Sequence, residues 1–430
     1  MSKTQPLVGM GFYSLVGFLR PAIYVILLPI YIEFFTEVEY GIYNLMIDFA
    51  AIFMILVSFK LNAAMMTHYY DYQNDRAKQL AYLRQLYSGS LYIGMLMVVL
   101  MYFAGQPLFS FIFKDEAIRF FPYGMIVVIY TMLFEANQCY LTFLKNDKNI
   151  WRFTFIMLTH VLSIVILQFI FIIVIPRGVQ GALEGILLGN VLVTLLILIL
   201  DRQLIILKPS FRWLWPSFRF SFLLIPYLII YWFLTRGGRF FLESYTDLET
   251  VALFGFIMVI GSVIILAVEA VINGVRPFLF EQFALSRKGS KAMISVLNAM
   301  IINIPLFFVP FIILIACHMH LLTDKLLYHR VREYIALACL LYFLMVISKL
   351  FYQQLLFAKK SMTITLLSSL AVMILIVGFV MLIPGHAIMG VLIATIIANL
   401  VLCFLFFSFA QKALYVRHDA RSIIISPLLV

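Results

Sequence analysis

The residues able to do chemistry in this chain are ionisable groups set inside long apolar runs: Arg20, Asp48, Lys60, Glu135, Glu184, Glu269 and Lys349. A charge at bilayer depth costs about 2.5–3.5 kcal/mol on the insertion scale, so each is a functional candidate by default. A buried Arg or Lys neutralises an anion that cannot cross hydrocarbon unaided, and Arg matches phosphate as a planar fork. A buried carboxylate can take up and release a proton or a sodium ion. Arg20 lies near the middle of the first apolar run beside Pro21 and is the leading candidate for holding an anionic substrate; an ion pair with Asp48 is the structural alternative. Arg236 and Arg239, at the end of the seventh run, either meet a phosphate or cap a helix C-terminus, where cations are favoured anyway. The candidate substrate-binding set is therefore Arg20, Arg239, Arg236, Lys60 and Lys349. The candidate coupling or gating set is Asp48, Glu135 and Glu269.

Other chemistries have weaker support. Cys139, Cys317, Cys339 and Cys403 are scattered with no C-x-x-C pair and read as buried free thiols. His318 and His320 sit two apart with no third ligand nearby, so neither a metal site nor a cofactor is expected. Glu184 reads as interfacial. Polar residues within the runs, such as Asn44, Asn137, Gln138, Asn190, Gln353 and Asn399, line a cavity or bond between helices, and packing is the commoner use.

The elements that must position these groups are membrane helices. The 430 residues are 64% hydrophobic and 12% charged, against about half and about a quarter in soluble domains. A span needs about 20 apolar residues, which predicts helices near 7–32, 40–66, 86–105, 119–143, 151–176, 179–201, 218–236, 249–276, 291–316, 331–357, 361–384 and 386–410. The N-terminal run reads as the first span, because it is too long for a cleaved signal and carries Arg20-Pro21 at its centre. The net charge of +11 does not indicate nucleic-acid binding, since Lys and Arg collect in short segments between apolar runs. Most of them fall on the side that holds the N-terminus, which places both termini in the cytoplasm of a multi-pass inner-membrane protein. Every connection is short, so function must be built inside the bundle or on its rims.

The chain also repeats itself. IPRGVQGALEGILLGN at 175–190 echoes IPGHAIMGVLIATIIAN at 383–399, matching Pro176 with Pro384, Gly181 with Gly390 and Asn190 with Asn399. Phe143-Leu144-Lys145 similarly echoes Phe357-Ala358-Lys359. Six spans separate equivalent points, so the halves are parallel repeats. The expected fold is all-α integral membrane, about twelve transmembrane helices in two six-helix lobes around a central cavity. The lobes are assigned to 1–205 and 218–412, with a cytoplasmic linker at 206–217 and a tail at 413–430. Matching depths pair Lys60 with Glu135 and Glu269 with Lys349, one pair per lobe; snorkelling of the two lysines into headgroups is the alternative.

Three stretches resemble the polysaccharide-transporter branch of the multidrug, oligosaccharidyl-lipid and polysaccharide exporter superfamily. They are LLPIYIEFFTEVEYGIYNL at 27–45, SFRFSFLLIPYLIIYWFLTRGGRFFLESYTDLETVALFGF at 217–256, and YQQLLFAKKSMTITLL at 352–367. The family's usual Asp before the seventh-helix arginine is here Gly238. The resemblance implies a flippase that carries an isoprenoid-pyrophosphate-linked oligosaccharide across the membrane by alternating access, for O-antigen, capsule or exopolysaccharide synthesis. Arg20 and Arg239 would contact the pyrophosphate, a proton or sodium gradient would drive transport, and a glycan polymerase or glycosyltransferase could be a partner, with membrane lipid around the bundle. The runner-up is a cation-coupled drug or metabolite antiporter of the same superfamily. A membrane glycosyltransferase is disfavoured because the chain lacks long outer loops, and so is an enzymatic role altogether. A major-facilitator porter is disfavoured because 68–84 contains no glycine.

Overall fold

The computed structural model describes residues 23, 25–72, 74–286, 291–321 and 323–415, without the side chains of Thr67 and 273–300. Its principal helices are α1 Leu28–Phe34, α2 Glu37–Val57, α3 Leu61–His68, α4 Arg76–Ile112, α5 Met125–Asn146, α6 Ile150–Phe169, α7 Gly178–Leu200, α8 Phe211–Phe222, α9 Ile225–Tyr245, α10 Leu248–Ser286, α11 Lys291–Cys317, α12 Ile335–Phe357 and α13 Ser361–Ala413. Among the described residues eight helices are long and apolar enough to cross a bilayer, and the α8–α9 pair, bent by 44°, makes a ninth. Most of the first expected span lies outside the described residues.

Helix starts follow capping chemistry. Thr36 and Glu39 form a reciprocal box at the head of α2: Thr36 Oγ1 accepts from the Glu39 amide at 3.2 Å and Glu39 Oε2 accepts from the Thr36 amide at 2.9 Å. The Asp75 carboxylate accepts from the Lys78 amide at 3.1 Å and starts α4 ten residues before the expected span. Helix α13 has 53 residues, about 80 Å of helix and far more than a 30 Å hydrocarbon core requires. Ala387 divides it with φ 43° and ψ −120°. Its two halves fold back on each other, since a Cβ on Gly378 would stand 2.8 Å from the Ala394 Cβ. They are the expected eleventh and twelfth spans.

The seventh span differs from expectation. Its apolar pattern predicts 218–236, but the helix runs on to Tyr245, so Arg236 and Arg239 lie within it and do not cap its end. Two consecutive glycines fail to stop it because the neighbouring side chains use the space they leave. A Cβ on Gly238 would meet Val391 Cγ1 at 2.7 Å and Phe379 Cζ at 3.4 Å. Close packing outweighs the roughly 0.5–1 kcal/mol that a helical glycine costs.

The chain divides into two compact units, with Pro29–Trp232 forming the body of one and Phe233 onward that of the other. The first unit has a core of fully buried rings and aliphatics, among them Tyr82, Leu86, Tyr87, Ala136, Tyr140 and Phe153. In the second, Phe256 packs on Tyr328 with ring centroids 4.8 Å apart.

The sequence repeat is a repeat of backbone devices. In the first unit a Cβ on Gly181 would stand 2.5 Å from the Phe171 carbonyl oxygen, and one on the nearby Gly185 2.9 Å from the Gln168 backbone nitrogen, so α7 lies directly against α6. In the second, a Cβ on Gly390 would stand 2.9 Å from the Ile383 nitrogen. Asn190 donates to the Ile186 carbonyl and Asn399 to the Thr395 carbonyl, both at 2.9 Å. Helices α5 and α12 end in the same cap. Lys148 (φ 56°) and Lys359 (φ 58°) are left-handed, and the next amides, of Asn149 and Lys360, reach back to Leu144 and Leu355 at 3.0 Å. The structural match is therefore Lys148 with Lys359, one helical turn beyond the Lys145 of the sequence echo.

Candidate functional site

The second span is broken where its charge sits. Helix α2 ends at Val57; Phe59 (φ 45°) and Lys60 (φ 54°) are both left-handed, and the chain resumes as α3 at Leu61. Each left-handed non-glycine residue costs roughly 1–2 kcal/mol, so the surroundings must hold the break open. Four bonds do so. Lys60 Nζ lies 2.7 Å from Glu135 Oε1, the Ser58 hydroxyl donates to Glu135 Oε2 at 3.0 Å, the Lys60 amide donates to Ser58 Oγ at 3.1 Å, and the Ser221 hydroxyl donates to the Lys60 carbonyl at 3.0 Å. Broken helices at membrane depth are tolerated where neighbours satisfy the freed backbone.

The Glu135 side chain is 1% exposed and that of Lys60 19%. A carboxylate so buried keeps its charge only against a cation, and here the cation is the ammonium of the broken span. The ion pair and the backbone geometry at 58–60 share Ser58 and Lys60. Two residues along α5, and so on the opposite side of that helix, Asn137 donates to Thr194 Oγ1 at 3.0 Å on α7 and accepts from Tyr87. Elsewhere in this unit the Tyr31 hydroxyl donates to Gln168 and lies 2.9 Å from Tyr43 Oη.

The second unit holds the other expected pair, Lys349 Nζ on Glu269 Oε1. The charges are exchanged: the cation stands on the second span of the first half, and the anion on the second span of the second half. Its burial also differs, since the Glu269 side chain is 43% exposed. Measured from the two left-handed lysine caps, Glu135 lies one helical turn further along α5 than Lys349 lies along α12, on a similar face.

The remaining candidates are placed as follows. Arg20 lies outside the described residues. Asp48 is fully buried on α2, and its carbonyl accepts from Trp232 Nε1 at 3.0 Å. Arg239 is buried and its Nη2 donates to the Gly255 carbonyl at 3.4 Å, while Arg236 is half-buried. Glu184 is paired with Arg177 at 2.6 Å and bonded to Gln180 at 2.8 Å. The His318 and His320 rings lie 6.0 Å apart, tilted by 32°, and no metal-holding group of His, Cys, Asp or Glu occurs among the described residues.

Sequence reasoning missed Ser58 and Ser221, which hold the break, because neither Pro nor Gly marks it. It also missed Glu243, a buried acid four residues after Arg239 on the same helix face. The Arg-to-Glu spacing of RFFLE was the available signal.

No family model and no curated protein matches the chain. The fold does match solved structures. An inward-facing multidrug-resistance MATE family transporter of the MOP superfamily superposes with TM-score 0.70 at 17% identity over 91% of this chain and 94% of its own. An outward-facing MATE transporter gives 0.64 at 19% identity over 95% and 96%. A MOP-superfamily transporter from Pyrococcus furiosus, described as having a binding pocket of reverse polarity that suggests a different function, gives 0.64 at 17% identity over 95% of each chain. The chain therefore has the MATE transporter fold.

Proposed function

We propose that this chain is a secondary transporter that exchanges an organic solute for a cation, with Glu135 as the coupling group. The single observation that carries this reading is a carboxylate, 1% exposed, bound to the ammonium of a broken span in a fold shared with multidrug MATE transporters. In this mechanism a proton or sodium ion takes the place of Lys60 at Glu135. Release of Lys60 frees the left-handed backbone at 58–60 and shifts the balance between two conformations. Lys60 and Lys349 act as locks on their carboxylates, Asp48 and Glu269 are secondary coupling candidates, and Arg20, Arg236 and Arg239 remain for the cargo. Both termini lie in the cytoplasm of an inner membrane.

The test is uptake of an anionic and of a cationic dye into inverted vesicles under an imposed proton or sodium gradient. Gradient-driven uptake that Glu135→Gln abolishes supports the proposal. Uptake unchanged in that variant removes Glu135 from coupling.

A second reading, the lipid-linked oligosaccharide flippase, is favoured by the buried Arg239 guanidinium within the 217–256 stretch. One neighbour's pocket of reverse polarity is consistent with a fold that does not dictate the charge of its cargo. Deletion that accumulates completed lipid-linked glycans, with no dye transport under either gradient, selects this reading and with it the glycan-synthesis partners.

A further inference from the structure

The break in the second span has a counterpart in the chain that packs against it. Pro226, the second residue of α9, has no amide hydrogen to offer the Phe222 carbonyl one turn back, so α8 and α9 meet at a 44° bend. Two hydrogen bonds place this bend opposite the break at 58–60. The Trp232 indole of α9 donates to the Asp48 carbonyl of α2, and the Ser221 hydroxyl of α8 donates to the Lys60 carbonyl, both at 3.0 Å. Lys60 follows Asp48 by 12 residues and Trp232 follows Ser221 by 11, so the two segments run antiparallel in register. Both lie within the first unit.

Ser221 belongs to both features. Its hydroxyl holds the Lys60 carbonyl, and its own carbonyl accepts from the Leu224 amide at 2.9 Å in the turn that makes the bend. It is fully buried, and Trp232 is buried at the other end of the paired segments. Around it the contacts are aromatic. Phe59, a left-handed residue of the break, meets Phe218 edge-on with ring centroids 5.7 Å apart, and His68, at the end of α3, meets Phe220 at 5.3 Å. The last residues of α8 are therefore packed on the chain just beyond the break, immediately before their own helix bends.

Lys60 supplies both the ammonium that holds Glu135 and the carbonyl that holds Ser221, so a change at the ion pair reaches α8 through one residue. We infer that Ser221 is a positioning residue for transport. It joins the broken second span to the bent α8–α9 span, and release of Lys60 from Glu135 thereby moves α9, the helix that carries Arg236 and Arg239 further along. This inference rests on the proposed coupling role of Glu135. Coupling between two equilibria is reciprocal, so a change made at the bend must also be felt at the break.

Hydrogen–deuterium exchange on the full-length protein in detergent reads both sides of the joint. The Leu61 and Ala63 amides, bonded to the Ser58 and Lys60 carbonyls, report the break; the Leu224 and Leu228 amides, bonded to the Ser221 and Leu224 carbonyls, report the bend. Glu135→Gln is expected to raise exchange at both. With Ser221→Ala added, the response of the bend to Glu135→Gln should fall about fivefold, the effect of one hydrogen bond. Ser221→Thr, which keeps a hydroxyl, should retain the response. Pro226→Ala, which restores the missing amide, should alter exchange at the break only where the Ser221 hydroxyl is present. A bend that ignores Glu135→Gln while the break responds overturns the inference, as does an equal response with and without that hydroxyl, the mark of a residue that only packs. Dye uptake into inverted vesicles separates the two readings. Loss of gradient-driven uptake in Ser221→Ala with recovery in Ser221→Thr supports the inference. Uptake unchanged in Glu135→Gln, with exchange still linked across the joint, overturns the coupling role of Glu135 and reduces Ser221 to a structural tie.

Discussion

The ammonium of Lys60 stands 2.7 Å from the carboxylate of Glu135 across a backbone break in which Lys60 itself is left-handed. Ion pair and break depend on each other: a continuous α-helix through 58–60 would carry the Lys60 side chain elsewhere, and without Glu135 two of the four bonds that offset the strain of two left-handed residues are lost. The second unit keeps an ion pair near the equivalent place with the signs exchanged.

Removing one partner of a buried pair costs about 3–5 kcal/mol. Glu135→Gln should fall at the low end, because Lys60 retains some exposure. The exchanged variant, Lys60→Glu with Glu135→Lys, should recover most of the loss, since the protein already uses that polarity once. Thermal unfolding in detergent measures both; an exchanged variant no more stable than the single variants removes the pairing argument.

Lys148 and Lys359 are exposed left-handed residues at helix ends, a position that favours glycine. Lys148→Gly and Lys359→Gly should each stabilise by about 1 kcal/mol, and valine at either site should destabilise. Midpoint temperatures of the four variants should order glycine, wild type, valine.

Helix α7 touches α6 where Gly185 meets the backbone of Gln168. Backbone cannot move aside as a flexible side chain can, so Gly185→Ala should cost about 1–3 kcal/mol. Gly385 is the control: a Cβ there would meet nothing within 4 Å, so alanine should not act through crowding. Equal losses at both positions in an unfolding assay would contradict the close approach of α6 and α7.

Gly238→Asp would install the acid that the resembled pattern carries before the arginine. Here it should destabilise the protein, because Val391 and Phe379 fill the space. Gly238→Ala should show the smaller part of the same defect. An aspartate variant as stable as wild type in size-exclusion and unfolding measurements would show that α9 can shift to admit it.

The Lys78 amide and then its ammonium hold the Asp75 carboxyl below the usual carboxylate range. A lowered folded pKa means that the cap contributes its full stability above the unfolded value, near pH 4, and loses it as pH falls through the lower folded one. Asp75→Asn keeps a capping acceptor but should flatten this part of the acid dependence, read by comparing unfolding midpoints at pH 7 and pH 3.

Composition and hydropathy alone determined the membrane class and the order of the apolar helices from α2 to α13. Those properties are written residue by residue, since a span needs only length and apolarity. Pairing by depth was also legible, because rise per residue converts sequence position to height in a helix, and Lys60–Glu135 and Glu269–Lys349 follow from it. What only the tertiary structure decided is the backbone at those heights. Ser58-Phe59-Lys60 carries no residue that breaks helices, and it unwinds where Ser221, from a distant helix, bonds the Lys60 carbonyl and Glu135, from another, holds the Ser58 hydroxyl and the Lys60 ammonium. Gly237-Gly238 carries two helix-weakening residues and stays helical because Val391 and Phe379 pack into the gap. In both places local propensity, worth about 1 kcal/mol per residue, yields to contacts whose partners lie far along the chain.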